Sequence, residues 1–168
     1  MLLTTFALMS LLAPVVTPAE QIQSRTRTEP RRYTIEQLFA TRVVGGCDWS
    51  PDGETIVFTT NISGRNNLWT IGAGGGWPTQ LTVSDERQTS PVWAPNGKWI
   101  AFQSDHDANE QWDLFLVNAH QGQVVNLTRT PEISEESPIS SPDSRLLACA
   151  VKARTAPNYE LALVDVEK

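Results

Sequence analysis

Cysteine is scarce: 168 residues hold two, Cys47 and Cys149, which excludes a disulfide-built scaffold. Basic charge is also short, with 13 Lys and Arg against 19 Asp and Glu, a net charge of -6 and a pI near 4.9. A chain of this sign offers no electrostatic footprint for nucleic acid or for an anionic membrane surface. The only basic cluster, Arg25, Arg27, Arg31 and Arg32, sits among Pro, Thr and Gln and reads as a solvated linker. No apolar run reaches the roughly 20 residues of a membrane span. The longest, Leu2 to Pro14, is followed by Thr17 and Ala19, a small-x-small step expected to end a signal peptide over 1–19. No basic residue precedes that apolar run, a departure from the usual signal. Residues 20–32 are then a flexible linker, and the mature chain begins near Glu20 in an exported, periplasmic or extracellular location. No serine has glycine both two before and two after it, so the nucleophile elbow of an α/β-hydrolase is missing.

What the chain has is one phrase written three times. WSPDGETIVF starts at Trp49, WAPNGKWIAF at Trp93 and SSPDSRLLAC at Ser140. Proline sets the first corner of a type I turn, Asp or Asn bonds within its own turn, and Gly accepts the left-handed exit. The runs ETIVFTT, KWIAFQS and RLLACAV that follow read as short strands buried on both faces. Each copy continues into NLWTI, DLFLV or ELALV, and the first two reach a fourth short strand ending in QLT at Thr82 and NLT at Thr128. The offsets agree: 114 − 68 = 46 and 161 − 114 = 47 for the leucines of the third strands, and 127 − 81 = 46 for those of the endings.

Four short strands at a period near 46 residues are the signature of a β-propeller blade, because a small twisted sheet buries its faces only by stacking on neighbours. The expected fold is therefore all-β, with antiparallel four-stranded blades at about 46–82, 90–128 and 137–168. SPVW from Ser90 and SPIS from Ser137 would form innermost strands, where proline at a strand start loses little. A β-sandwich would explain the alternating strands but not three matched registers. Cys149 shares the register of Phe58 and Phe102, whereas Cys47 lies before Trp49 in another repeat, so two buried thiols are expected rather than a bridge. The six tryptophans are expected to pack between blades, with a ligand platform at Trp77, Trp99 or Trp112 as the alternative. Ser144 stands where the other turns have glycine, and with Ser140 in the Trp register it marks the third copy as the most divergent.

Propellers close with about 4 to 8 blades, and the third copy stops before a fourth strand, so the chain is expected to be the leading part of a longer frame. The WSPDGETIVF and WAPNGKWIAF phrases, each with a DLFLV-like strand and a QLT or NLT ending, resemble TolB-type propeller repeats. More narrowly, YTIEQLFATRVVGGCDWSPDG and IAFQSDHDANEQWDLFLVNAHQGQVVNLTRTPEISEESP resemble the start of exported bacterial serine peptidases of the prolyl oligopeptidase family, of dipeptidyl peptidase or acylaminoacyl peptidase type. The resemblance covers about residues 33–168. It implies a propeller that caps a C-terminal α/β-hydrolase domain and restricts entry to short peptides. The partner it implies is a peptide substrate, reached through a catalytic domain missing from this chain. The alternative is a TolB-like module that binds an envelope protein and has no hydrolase. A sugar-processing or lyase propeller would need acidic or histidine residues converging on the channel, and nothing in the repeats selects it.

No catalytic, cofactor-binding or metal residue is assigned on this reading, and no cofactor is expected. Four features invite a role beyond the repeat. His106 and His120 fall in turns between strands, where solvated side chains are the expectation. Glu135 and Glu136 are similar to the paired glutamates with which dipeptidyl peptidases of that family hold a substrate amino terminus, but ISEESP does not match the motif and reads as an inter-blade loop. The run Asp105 to Asn109 spaces oxygen ligands as a Ca²⁺ loop would, without the glycine bend or the closing glutamate. Asn61-Ile62-Ser63 and Asn126-Leu127-Thr128 are glycosylation sequons; both are expected to stay bare, and the second is part of a repeat ending.

Overall fold

A computed structural model describes residues 32–167. The expected signal peptide, and the linker up to Arg31, lie outside them. The first described element, helix α1 (Ile35–Phe39), belongs to a unit separate from the strands. Its start is a capping box: Gln37 N–H donates to Thr34 Oγ1 (3.2 Å) and Thr34 N–H to Gln37 Oε1 (3.1 Å).

From Ala40 on, eleven strands form three antiparallel sheets. The first holds β1 (Val44–Trp49), β2 (Thr55–Thr60), β3 (Asn67–Gly72) and β4 (Thr79–Gln80) in that spatial order. The second repeats it with β5 (Gln88–Trp93), β6 (Trp99–Asp105), β7 (Trp112–Asn118) and β8 (Val124–Asn126). β9 (Ile133–Ser140), β10 (Leu146–Ala153) and β11 (Glu160–Asp165) make the third. Each sheet is an up-and-down meander, the strand order of a propeller blade. The repeat is kept in register: Phe58 faces Trp69, Phe102 faces Phe115 and Cys149 faces Ala162 across corresponding strand pairs. β4 and β8 are shorter than the sequence suggests, ending before the Leu-Thr of each QLT or NLT.

The three turns are built alike. Gly53 N–H donates to Ser50 O, Gly97 N–H to Ala94 O and Ser144 N–H to Ser141 O, at 2.8 to 2.9 Å. The exit residues Gly53, Gly97 and Ser144 have φ of 74°, 71° and 63°, the left-handed conformation the glycines were expected to supply. Innermost strands also share a fault. Pairing slips around Gly45-Gly46 in β1, Ser90-Pro91 in β5 and Ser137-Pro138 in β9, a bulge at the same place in each blade. Gly45 is required there, because a Cβ would meet Thr59 Oγ1 at 2.6 Å.

Burial lies between sheets rather than within one. Val57 and Leu68 of the first blade pack on Trp93, Ile100, Phe102 and Val117 of the second. Ala101 and Leu114, on the second blade's opposite face, pack on Leu147 and Cys149 of the third. Strand β6 is thus buried on both faces, as its sequence foretold. The thiols divide: Cys149 is buried, but Cys47 is exposed on β1, and both are free. Cys47 departs from expectation because Gly46 and Asp48 on either side of it face β5, which turns the Cys47 side chain to the opposite face of β1, where no described sheet packs.

Candidate functional site

Polar side chains of an inter-blade connector meet those of the turn between the second and third strands of the next blade. The connector from β4 to β5 carries Glu86 and Arg87, and the β6–β7 turn carries His106 and Asp107. Between them and the outer strands of the second blade lies a cavity of about 450 Å³, whose wall includes Glu86, Gln88, Asp105, His106, Gln111 and Asp113. Asp105, 5% exposed, accepts from Arg87 N–H at 3.2 Å and lies 3.8 Å from its guanidinium. The same guanidinium sits over the Trp112 ring, 4.5 Å from its centroid, so an internal cation occupies the face a ligand platform would need. Of the other two platform candidates, Trp99 packs against the core between the second and third blades and Trp77 is exposed.

A repeated latch crosses each blade boundary. Thr82 Oγ1 accepts from Leu68 N–H (3.0 Å), and its hydroxyl donates to Gln88 Oε1. Thr128 Oγ1 accepts from Leu114 N–H (3.0 Å) and donates to Glu135 Oε2 (3.1 Å). The threonine of QLT and NLT therefore ties the third strand of one blade to the first strand of the next, reaching six residues ahead in one case and seven in the other. The sequence shows the threonines but gives no signal for Gln88 and Glu135, the first-strand residues they hold.

Glu135 and Glu136 are not a pair. Successive residues of a strand point to opposite faces: Glu135 is buried under hydroxyls of Thr128 and Thr130, while Glu136 accepts from Ser134 Oγ (3.0 Å) and the Tyr159 hydroxyl (2.8 Å). Burial pushes the Glu135 carboxyl above the usual carboxylate range against the two threonine bonds, and the charge of Asp113 adds to the rise. Two glutamates on opposite faces cannot hold one ammonium. The Asp105 to Asn109 run does not converge on a cation either, since Asp105 turns inward to Arg87 and Asn109 Oδ1 accepts from Gln111 N–H (2.9 Å).

His106 and His120 do lie in turns, and His120 N–H donates to Asn118 Oδ1 (3.0 Å). The sequon asparagines are structural. Asn61 accepts from Val43 N–H (2.8 Å) and donates to Thr41 O (3.1 Å), and Asn126 donates to Asp113 Oδ2 (2.6 Å). Among the described residues no helix is long and apolar enough to cross a membrane.

Known proteins share this arrangement. The chain is 25% identical over 124 residues to the uncharacterised peptidase YuxL of Bacillus subtilis, covering 70% of this chain and 19% of that protein. It is 28% identical over 80 residues to the Tol-Pal system protein TolB of Francisella tularensis subsp. mediasiatica, covering 48% and 18%. The chain thus spans about a fifth of these curated relatives. The structure of a putative TolB from Agrobacterium tumefaciens superposes with a TM-score of 0.62 at 20% identity, over 76% of this chain and 46% of that one. The family model for the TolB beta propeller domain matches residues 29–168. With the blade order, the shared register and that match in hand, the chain belongs to the TolB beta propeller domain family.

Proposed function

We propose that these blades are the substrate-selecting propeller of an exported serine-type peptidase that cleaves short peptides, with hydrolysis carried out by a separate α/β-hydrolase domain. The observation that carries this reading is the 25% identity to a peptidase over 124 residues, a stretch longer than any one blade. The physics of the stack suits a gate: blades interlocked by side-chain latches and buried aromatics form a wall that yields little, so access is set by its openings. The leader pattern ending at Ala19 supports export. The deciding experiment is fluorophosphonate labelling of the native product of this gene, captured with an antibody to the blades and sequenced at its amino terminus. Labelled protein beginning near Glu20, with the isolated 168-residue chain unlabelled, is the expected result. Native product that takes no label and cleaves no peptide overturns it.

The 28% identity to a Tol-Pal system protein favours a second reading, a propeller that docks an envelope protein and lacks a hydrolase. An unlabelled native product that cross-links to one envelope protein would establish it.

A further inference from the structure

We propose that Glu86, His106 and Asp107 form a binding site for one divalent transition-metal ion of the zinc type, which clamps the β4–β5 connector to the β6–β7 turn. One ligand atom from each of the three residues lies within 4.8 Å of the others. Glu86 Oε1 is 3.8 Å from His106 Nδ1, and Asp107 Oδ2 is 3.3 Å from His106 Nε2. An imidazole offers one ion only one of its nitrogens, so the ion takes His106 Nδ1 beside Glu86 or Nε2 beside Asp107. The other carboxylate, within 4.8 Å, closes on it by a side-chain turn to bonds of about 2.0 to 2.2 Å. The donors come from separate segments, and the backbone brings them together without an ion: Asp107 N–H donates to Glu86 Oε2 at 3.0 Å, leaving Oε1 for coordination.

The donor set selects the metal. An imidazole with two carboxylates suits Zn²⁺ or a neighbouring first-row ion, whereas Ca²⁺ asks for six or more oxygens. The oxygen count for calcium is not met, because Asp105 and Asn109 are committed elsewhere. Glu86 and His106 also line the 450 Å³ cavity, so an ion held there has open positions on its cavity side for water or an anionic ligand. Gln111, which lines the same cavity, has its Oε1 buried with no hydrogen-bond partner among the described residues.

The chain has only two histidines, which makes the test clean. The metal-free 168-residue chain, with Cys47→Ser to remove an exposed thiol, is titrated with Zn²⁺ while both imidazoles are followed by long-range proton–nitrogen NMR. The expected result is a saturable shift of His106 at one equivalent with His120 unmoved. Glu86→Gln and Asp107→Asn should each weaken binding roughly tenfold or more, a loss of ~1.4 kcal/mol per tenfold. Ca²⁺ in equal amount should not displace the ion. His106 is 78% exposed in its side chain, so His106→Ala should fold normally by circular dichroism and lose the ion. Joint shifts of His106 and His120, no shift below millimolar Zn²⁺, displacement by equal Ca²⁺, or native affinity in both carboxylate variants would overturn the site.

Discussion

Trp49 and Trp93 hold the same place in successive blades, one residue ahead of the same turn, yet Trp93 is 8% exposed and Trp49 54%. The leucines of the third strands divide in the same way. Leu68 and Leu114 are fully buried, and Leu161 is 79% exposed. The strands, turns and pairing registers are common to both sets, so none of them accounts for the difference. What differs is the neighbour: Trp93 and Leu114 face a sheet, whereas Trp49 and Leu161 lie on outer faces that no described sheet covers. A blade's sequence therefore specifies an interface, and only the next blade turns that specification into stabilisation.

The sharpest way to break this comparison is to truncate both members of a pair. Trp93→Ala is expected to cost about 3–5 kcal/mol in urea unfolding, the range for a large buried aromatic, and Trp49→Ala less than about 1 kcal/mol. Similar losses in both would mean that Trp49 is covered in solution. That outcome would show burial on the outer face where the described residues provide none.

The turns sharpen the comparison at a smaller scale. Gly97 and Ser144 share the left-handed exit position, but Ser144 is buried and its Oγ accepts from Asn96 N–H (3.0 Å), joining the second and third turns across a blade boundary. The serine thus exchanges conformational ease for an inter-blade bond. Ser144→Ala keeps the left-handed penalty and loses the bond, an expected loss of about 1–2 kcal/mol. Ser144→Gly loses the bond and relieves the penalty, and should come out near neutral. Equal destabilisation by the two variants in thermal melts would remove the backbone term from this account.

Legibility in the sequence followed the range of the interaction. SPDG, APNG and SPDS announce their turns because all the chemistry lies within four residues, and the Ser90-Pro91 and Ser137-Pro138 steps announce inner strands. QLT and NLT were visible as endings, but their threonines act on Leu68, Gln88, Leu114 and Glu135, contacts that exist only once the blades stack. The cluster at Glu86 was invisible for the same reason. Its link to Asp107 spans 21 residues, and the sequence instead suggested a local run of oxygens from Asp105 that the fold pulls apart. Cys47 misled because its exposure depends on which face of the first blade has a neighbour.

The smallest expected effect separates the two latches. At the boundary of the first and second blades the acceptor is the neutral amide of Gln88; at the next it is the carboxyl of Glu135, with Asp113 and Cys149 as its titratable neighbours. Burial raises the Glu135 carboxyl above its unfolded value, so its contribution to stability is present in full below that value and is lost as pH rises through the folded one. Asp52 and Asp143 run the other way. Ser50 and Ser141 hydroxyls hold their carboxyls low, and their contribution is lost as pH falls through the folded values. Glu135→Gln, which copies the Gln88 latch, should therefore raise stability at neutral pH and flatten the decline between the unfolded and folded values of Glu135. The acid-side loss from Asp52 and Asp143 should stay unchanged. Urea midpoints measured across pH for both chains decide it: a variant that is less stable at neutral pH would mean the ionised Glu135 is held by more than its threonines.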